Sequence, residues 1–286
     1  LLLVIGIREG IADEGRESRV DLNTITDYRR AVSRADLILA GGERVMGGGT
    51  WLFSEPQVDT TGLVDLTTMG WPALEYLPSG LRIAATCTIA ELARLPHRDG
   101  WNAQPLFAQC ADALLASSKI WNVATVGGNI ARSFSAASMV SLSAALDATA
   151  LVWTPEGGEY TAAVADLITG NGTNRLAPGE VLRAVDVPEH ALRARTAFRK
   201  IALAALGRSG AVLTGRVDPD GQVTLTITAA TLRPTILKYS ALPDAATVRR
   251  DVQAADGYYT DPLGSADWRR QVSAVLLEEI RAELHA

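Results

Sequence analysis

The chain has 286 residues, 48% of them apolar and 21% charged, which is ordinary globular composition and enough for two or three compact lobes around a sizeable core. A net charge of −5, without any cluster of Lys and Arg interleaved with aromatics, excludes a nucleic-acid binder. An anionic ligand would have to be held by backbone amides rather than by bulk charge.

The opening LLLVIGIREG falls far short of the ~20 apolar residues that span a bilayer and lacks the basic flank of a secretory signal. Organised patterning begins at Val20, so residues 1–19 are expected to lie upstream of the true start, with Val20 at the position of an initiator Met. Thr24 or Thr26 offers a cap for a helix predicted over 27–39, which Gly41-Gly42 stops. Arg44-Val45-Met46 reads as a strand running into Gly47-Gly48-Gly49-Thr50. Strands are predicted at 63–66 and 81–84, and Thr88 caps a short helix over 89–95.

A helix over about 105–115 precedes a second glycine loop, Thr125-Val126-Gly127-Gly128-Asn129, followed by a helix over 139–146 and a strand over 148–153. Strand-like runs follow at 181–187, 195–203, 211–217 and 222–230, the last two joined by the turn Asp218-Pro219-Asp220-Gly221. The tail over 266–284 sets Trp268, Val272, Val275, Leu276 and Ile280 on one helical face. A third lobe of antiparallel strands and helices is expected from about residue 192.

Cys87 and Cys110 are too few for a disulfide framework or a four-thiolate cluster, and read as buried thiols in a reducing, cytoplasmic protein. His97, His190 and His285 have no metal-ligand spacing. Glycine lets a loop turn its N–H groups towards a ligand with no Cβ in the way, which is how a neutral loop holds a pyrophosphate. A glycine cluster alone more often marks a tight turn, and neither loop is GxGxxG nor is there a GxxxxGK[ST]. Two separated glycine loops, however, could clasp one dinucleotide from two sides.

The strand leading into GGGTWL, the ATVGGNIA about 75 residues later and the small-residue helix ending in Ala-Leu-Asp-Ala together resemble the FAD-binding subunits of the xanthine dehydrogenase and carbon monoxide dehydrogenase family. The resemblance extends over most of 20–286, through LAPGEVL and Phe198-Arg199-Lys200, with ATVGGNIA its most specific part. It implies an α/β (α+β) fold: a two-lobed PCMH-type FAD-binding domain over 20–191, broken near 75, followed by a small C-terminal α/β domain of antiparallel strands and helices over 192–286.

It also implies that Val45, Met46, Gly47, Gly48, Gly49, Thr50, Trp51 and Leu52 wrap the FAD pyrophosphate. Thr125, Val126, Gly127, Gly128 and Asn129 would close on it from the other side, mostly through backbone. By the same resemblance Leu115 lines the cofactor cleft, and Leu176 and Lys200 fall near the flavin ring. A cation there could stabilise reduced anionic flavin, although Lys200 also reads as a solvated strand-end lysine. Two departures stand out. Relatives commonly carry Asp where this chain has Ser138, and an acidic or small residue where it has Trp51, which is either a packing residue or a shield for the cofactor.

In this family hydroxylation takes place at a molybdenum cofactor on a separate large subunit, and electrons reach FAD from [2Fe–2S] clusters on a small subunit before leaving to NAD, oxygen or a quinone. The implied assembly is a heterotrimer in which this chain supplies no general acid, base or nucleophile. A non-catalytic assembly subunit with the same fold and impaired FAD binding is the alternative, motivated by Ser138. An autonomous flavoprotein oxidase ranks last, because no histidine lies beside either loop to carry a covalent flavin.

Overall fold

The computed structural model describes residues 22–204 and 207–285, so the extension expected over 1–19 lies outside the described residues. Among them, β1 (Asp27–Arg30), β2 (Glu43–Met46) and β3 (Gly62–Asp65) form a parallel sheet with β3 in the middle. All four residues of β3 are buried, as a strand covered on both faces must be. The helix expected over 27–39 is therefore wrong. Its first part is β1 and its second a single 3-10 turn, Arg34–Leu37. The cause is tertiary: β3 has two edges to satisfy, and β1 takes one of them. Tyr28 reinforces the pairing by donating from its hydroxyl to Asp65 at 2.7 Å, and Arg29 reaches Glu43 of β2 at 2.8 Å.

The central part of the chain runs β4 (Leu74–Leu77), β5 (Gly80–Ala84), α1 (Ile89–Ala93), α2 (Pro105–Asp112), α3 (Ser118–Trp121), α4 (Val126–Arg132) and α5 (Ser138–Ala145). It continues through β6 (Thr149–Trp153), β7 (Glu159–Ala163), α6 (Val164–Leu167), the hairpin β8 (Ile168–Gly170) and β9 (Thr173–Asn174), and β10 (Val181–Pro188). Here the strands make an antiparallel sheet in the order β4-β5-β10-β6-β7. The cap at Thr88 forms as expected: its hydroxyl accepts from the Glu91 amide at 3.1 Å, and the Glu91 carboxylate accepts from the Thr88 amide at 2.9 Å. The main core lies between this sheet and α1, α2, α4 and α5, with Leu106, Phe107, Ile130 and Met139 buried in it.

After α7 (Glu189–Arg193), strands β11 (Arg195–Ile201), β12 (Ala211–Val217), β13 (Val223–Thr228) and β14 (Thr235–Tyr239) form an antiparallel meander, followed by α8 (Ala245–Ala254) and α9 (Ala266–His285). One face of this sheet packs on α9. The buried side of that helix carries Arg269, Ser273, Leu277, Ile280 and Leu284, and Val275 of the expected face is 60% exposed. The helix is turned because Arg269 is fully buried: it pairs with Asp261 at 2.6 Å, donates to the Ala229 carbonyl and lies 3.9 Å over the Tyr259 ring.

The opposite face of the meander meets α5. Ser141 and Thr228 hydroxyls lie 2.7 Å apart, the Ala229 amide donates to the Ser135 carbonyl at 2.9 Å, and Arg216 donates to the Ala145 carbonyl at 2.8 Å. The parallel sheet is joined to the antiparallel one through Trp71 and Trp153, edge to face at 5.5 Å, with the Arg183 guanidinium 4.4 Å over Trp71. No described helix is long and apolar enough to cross a membrane.

Candidate functional site

The first glycine loop leaves β2 at Met46, whose carbonyl accepts from the Leu66 amide at 2.8 Å. From there the ladder stops supplying acceptors. None of the amides of residues 47–52 has a hydrogen-bond acceptor among the described residues, whereas the loop's carbonyls are used: Gly49 accepts from the Phe53 amide and Trp51 from the Ser54 amide, each at 3.0 Å. Unpaired donors of this kind, gathered in one loop, ask for an anion. Two close fits set the loop's shape. Gly49 sits at φ +67, and a Cβ on Gly48 would lie 1.7 Å from the Val123 carbonyl oxygen.

Its neighbour on that side is the second glycine segment, which is a helix start rather than an open loop. Thr125 is the N-cap of α4, and its hydroxyl accepts from the Gly128 amide at 3.1 Å. The Val126 amide donates to Cys87 at 2.8 Å, that of Gly127 to Ala85 at 2.9 Å, and that of Asn129 to Thr125 at 3.0 Å. Every amide of residues 126–129 is thus occupied within the chain. The Asn129 side-chain oxygen in turn accepts from the Met139 amide at 2.9 Å, fixing the start of α5. The pyrophosphate clasp implied for both segments is therefore available as free backbone donors only in the first.

Ser138, beside Met139, is buried, and its hydroxyl has no partner among the described residues. Such an orphan is expected where a ligand atom completes the bond. Leu176 is half-buried against the main core, its amide donating to Asn174 at 3.0 Å. Lys200 lies opposite Val212 in the meander, on the same strand face as Phe198. Phe198 packs with Ala113, Val212 and Ala229, so that face looks towards the end of α2, where Leu115 is 57% exposed. The structure brings Gly47 against Thr125 and Gly48 against Val123, and Asn129 together with the residue after Ser138. Leu115, Leu176 and Lys200 come from three further segments, Leu176 packed against the core that contains Val126.

Sequence reasoning missed Arg132, the last residue of α4. Its guanidinium lies 3.8 Å from the centre of the Trp51 ring, so Trp51 packs on a cation. No local pattern signals this pair, because its members lie on elements far apart in the chain.

Residues 21–190 match the family described as the FAD binding domain in molybdopterin dehydrogenase. The chain belongs to this family. No curated protein matches it. Among solved structures it is similar to the Cu,Mo-CO dehydrogenase in its cyanide-inactivated form, at 22% identity and TM-score 0.77, over 90% of this chain and 97% of that one. It is also similar to the reconstituted CO dehydrogenase from Oligotropha carboxidovorans, at 23% identity and TM-score 0.75 over the same shares, 90% and 97%. Quinoline 2-oxidoreductase from Pseudomonas putida 86 follows at 19% identity and TM-score 0.74, over 90% and 95%. These likenesses establish the fold, and the family match establishes FAD as the cofactor. The residues present fit that cofactor: the free amides of 47–52 suit its diphosphate, and the unpartnered Ser138 hydroxyl suits a polar cofactor atom. When bound, FAD supplies electron transfer between one-electron and two-electron partners; the FAD-binding domain supplies the donors that hold and orient it.

Proposed function

We propose that this chain is the flavoprotein subunit of a molybdenum-containing hydroxylase or dehydrogenase, relaying electrons through FAD from [2Fe–2S] clusters on a small subunit to an external acceptor such as NAD, oxygen or a quinone. The substrate is oxidised at a molybdenum cofactor on a large subunit. The observation that carries this reading is the run of unaccepted amides over 47–52, in a chain whose family binds FAD. Its two cysteines are both buried, so residues 1–286 supply no thiolate set for an iron–sulfur cluster.

In this reading the diphosphate rests on the backbone of residues 45–52, with α4 as the opposite wall. There Thr125 acts as the cap that shapes that wall, and Ser138 meets the cofactor with its free hydroxyl. Leu115, Leu176 and Lys200 border the flavin ring. The chain divides into an FAD-binding part over 20–191 and a C-terminal domain over 192–286. In support, residues of the meander and α9 form a hydrophobic cluster of their own.

The test is to purify the chain, record its visible spectrum and identify any chromophore released by acid. The two visible bands of oxidised flavin, with FAD in the extract, support the reading. A protein that stays colourless after incubation with FAD overturns it in favour of a non-catalytic assembly subunit.

A further inference from the structure

Arg132 is held between two aromatic rings. Its guanidinium carbon lies 3.8 Å from the Trp51 ring centre and 4.1 Å from that of Phe134, and the two rings meet at 6.3 Å and 71°. Rings stabilise a guanidinium over its faces and leave the N–H groups in its plane to find acceptors elsewhere. Those acceptors are nearly absent. One terminal nitrogen reaches the Gly172 carbonyl at 3.4 Å, while Nε is buried with no partner, and no carboxylate pairs with the side chain among the described residues. Glu55 and Arg44 are the charges near enough to act on it, and Arg44 has the same sign. Burial pushes its pKa down, the signature of a cation that lacks a counter-ion. Trp51, the floor of this slot, belongs to the same stretch of residues, 47–52, whose amides have no acceptors. An unpaired cation from α4 thus rests on the loop that carries a set of unpaired donors, and a single anion would satisfy both.

We infer that Arg132 is a diphosphate-binding residue of the FAD site, with Trp51 and Phe134 holding its plane so that its N–H edge pairs with a phosphate oxygen of the cofactor. The inference rests on the FAD reading above and adds to it a side-chain charge that neither glycine segment supplies. It also gives Trp51 a role: the indole is a rest for the arginine.

The test uses the full chain stripped of flavin and titrated with FAD, inorganic pyrophosphate and riboflavin, which carries no phosphate, at low and high salt. Arg132→Gln is expected to weaken FAD and pyrophosphate by about tenfold or more and to flatten their salt dependence. Riboflavin affinity and the melting temperature should hold. Arg132→Lys should restore the salt dependence but only part of the affinity, because it keeps the charge and loses the plane that Trp51 and Phe134 hold. The inference is overturned if Arg132→Gln binds FAD within about twofold of wild type at both salts, or if it weakens riboflavin as much as FAD. Should wild type bind pyrophosphate through Arg132 but not FAD, the anion site stands and the proposed function falls. Binding of neither ligand overturns both.

Discussion

The carbonyl oxygen of Val123 occupies the place where a Cβ on Gly48 would have to stand, 1.7 Å from its ideal position. The first glycine loop and the approach to α4 are pressed together backbone against backbone, with no side chain to yield. Gly48→Ala should therefore force the two apart, costing about 2 kcal/mol or more and abolishing retention of FAD. Thermal unfolding and the flavin content of the purified variant measure both effects. Gly41→Ala, with nothing within 4 Å of its added Cβ, should leave both unchanged.

Thr125 holds the first turn of α4 by accepting from the Gly128 amide. Thr125→Val keeps the shape and removes the acceptor, and should lower stability by about 1 kcal/mol in urea titration. Thr125→Ser should behave as wild type.

Arg216, only 2% exposed, pairs with Asp147 at 2.5 Å and with Asp218 at 2.8 Å while donating to the Ala145 carbonyl, so one side chain ties the meander to the end of α5. Asp147→Ala, which strips one partner and leaves the guanidinium buried, should cost about 3 kcal/mol or more. Arg216→Met, which leaves both Asp147 and the buried Asp218 without their guanidinium, should cost at least as much. Equilibrium unfolding of the two variants decides the order, and a distinctly smaller loss for Arg216→Met would contradict this account.

The Arg29 guanidinium, aided by the Ala40 amide, holds the Glu43 carboxyl down to about 2 from its ordinary 4.5. Folding thus favours the ionised form. The stability this pair contributes is complete above pH 4.5 and is lost progressively as the pH falls towards about 2. Glu43→Gln should be less stable than wild type at neutral pH and should show a shallower decline on acidification, read from denaturation midpoints across that range.

Burial pushes the Cys87 thiol up to about 12, and Cys110, fully enclosed in the core, is raised further in the same direction. Neither should react with a thiol reagent at neutral pH in the folded protein, and both should react once it is unfolded. Reaction of the native protein would mean that the core around α2 opens.

Elements written in local chemistry were legible in the chain. The strand ending at Met46, the Thr88–Glu91 cap, and the turn at Asp218 to Gly221 follow from propensity, capping and turn residues that act within a few positions. Elements decided at a distance were not. Residues 27–30 became a strand because β3 had an edge to fill, and α9 turned its arginine inward because the Ala229 carbonyl and Asp261 were waiting for it.

By itself, the sequence determined that two glycine segments stand in the right order for an FAD-binding chain, because glycine at those positions is a local requirement of the backbone. Only the tertiary structure decided what each segment can offer. The amides of 126–129 are spent on Thr125, Cys87 and Ala85, and those of 47–52 are left free. The same separation decided that Trp51 meets Arg132. Whether a donor is available depends on which acceptors the fold brings within 3 Å or so, and that is a property of the packed chain rather than of any stretch of it.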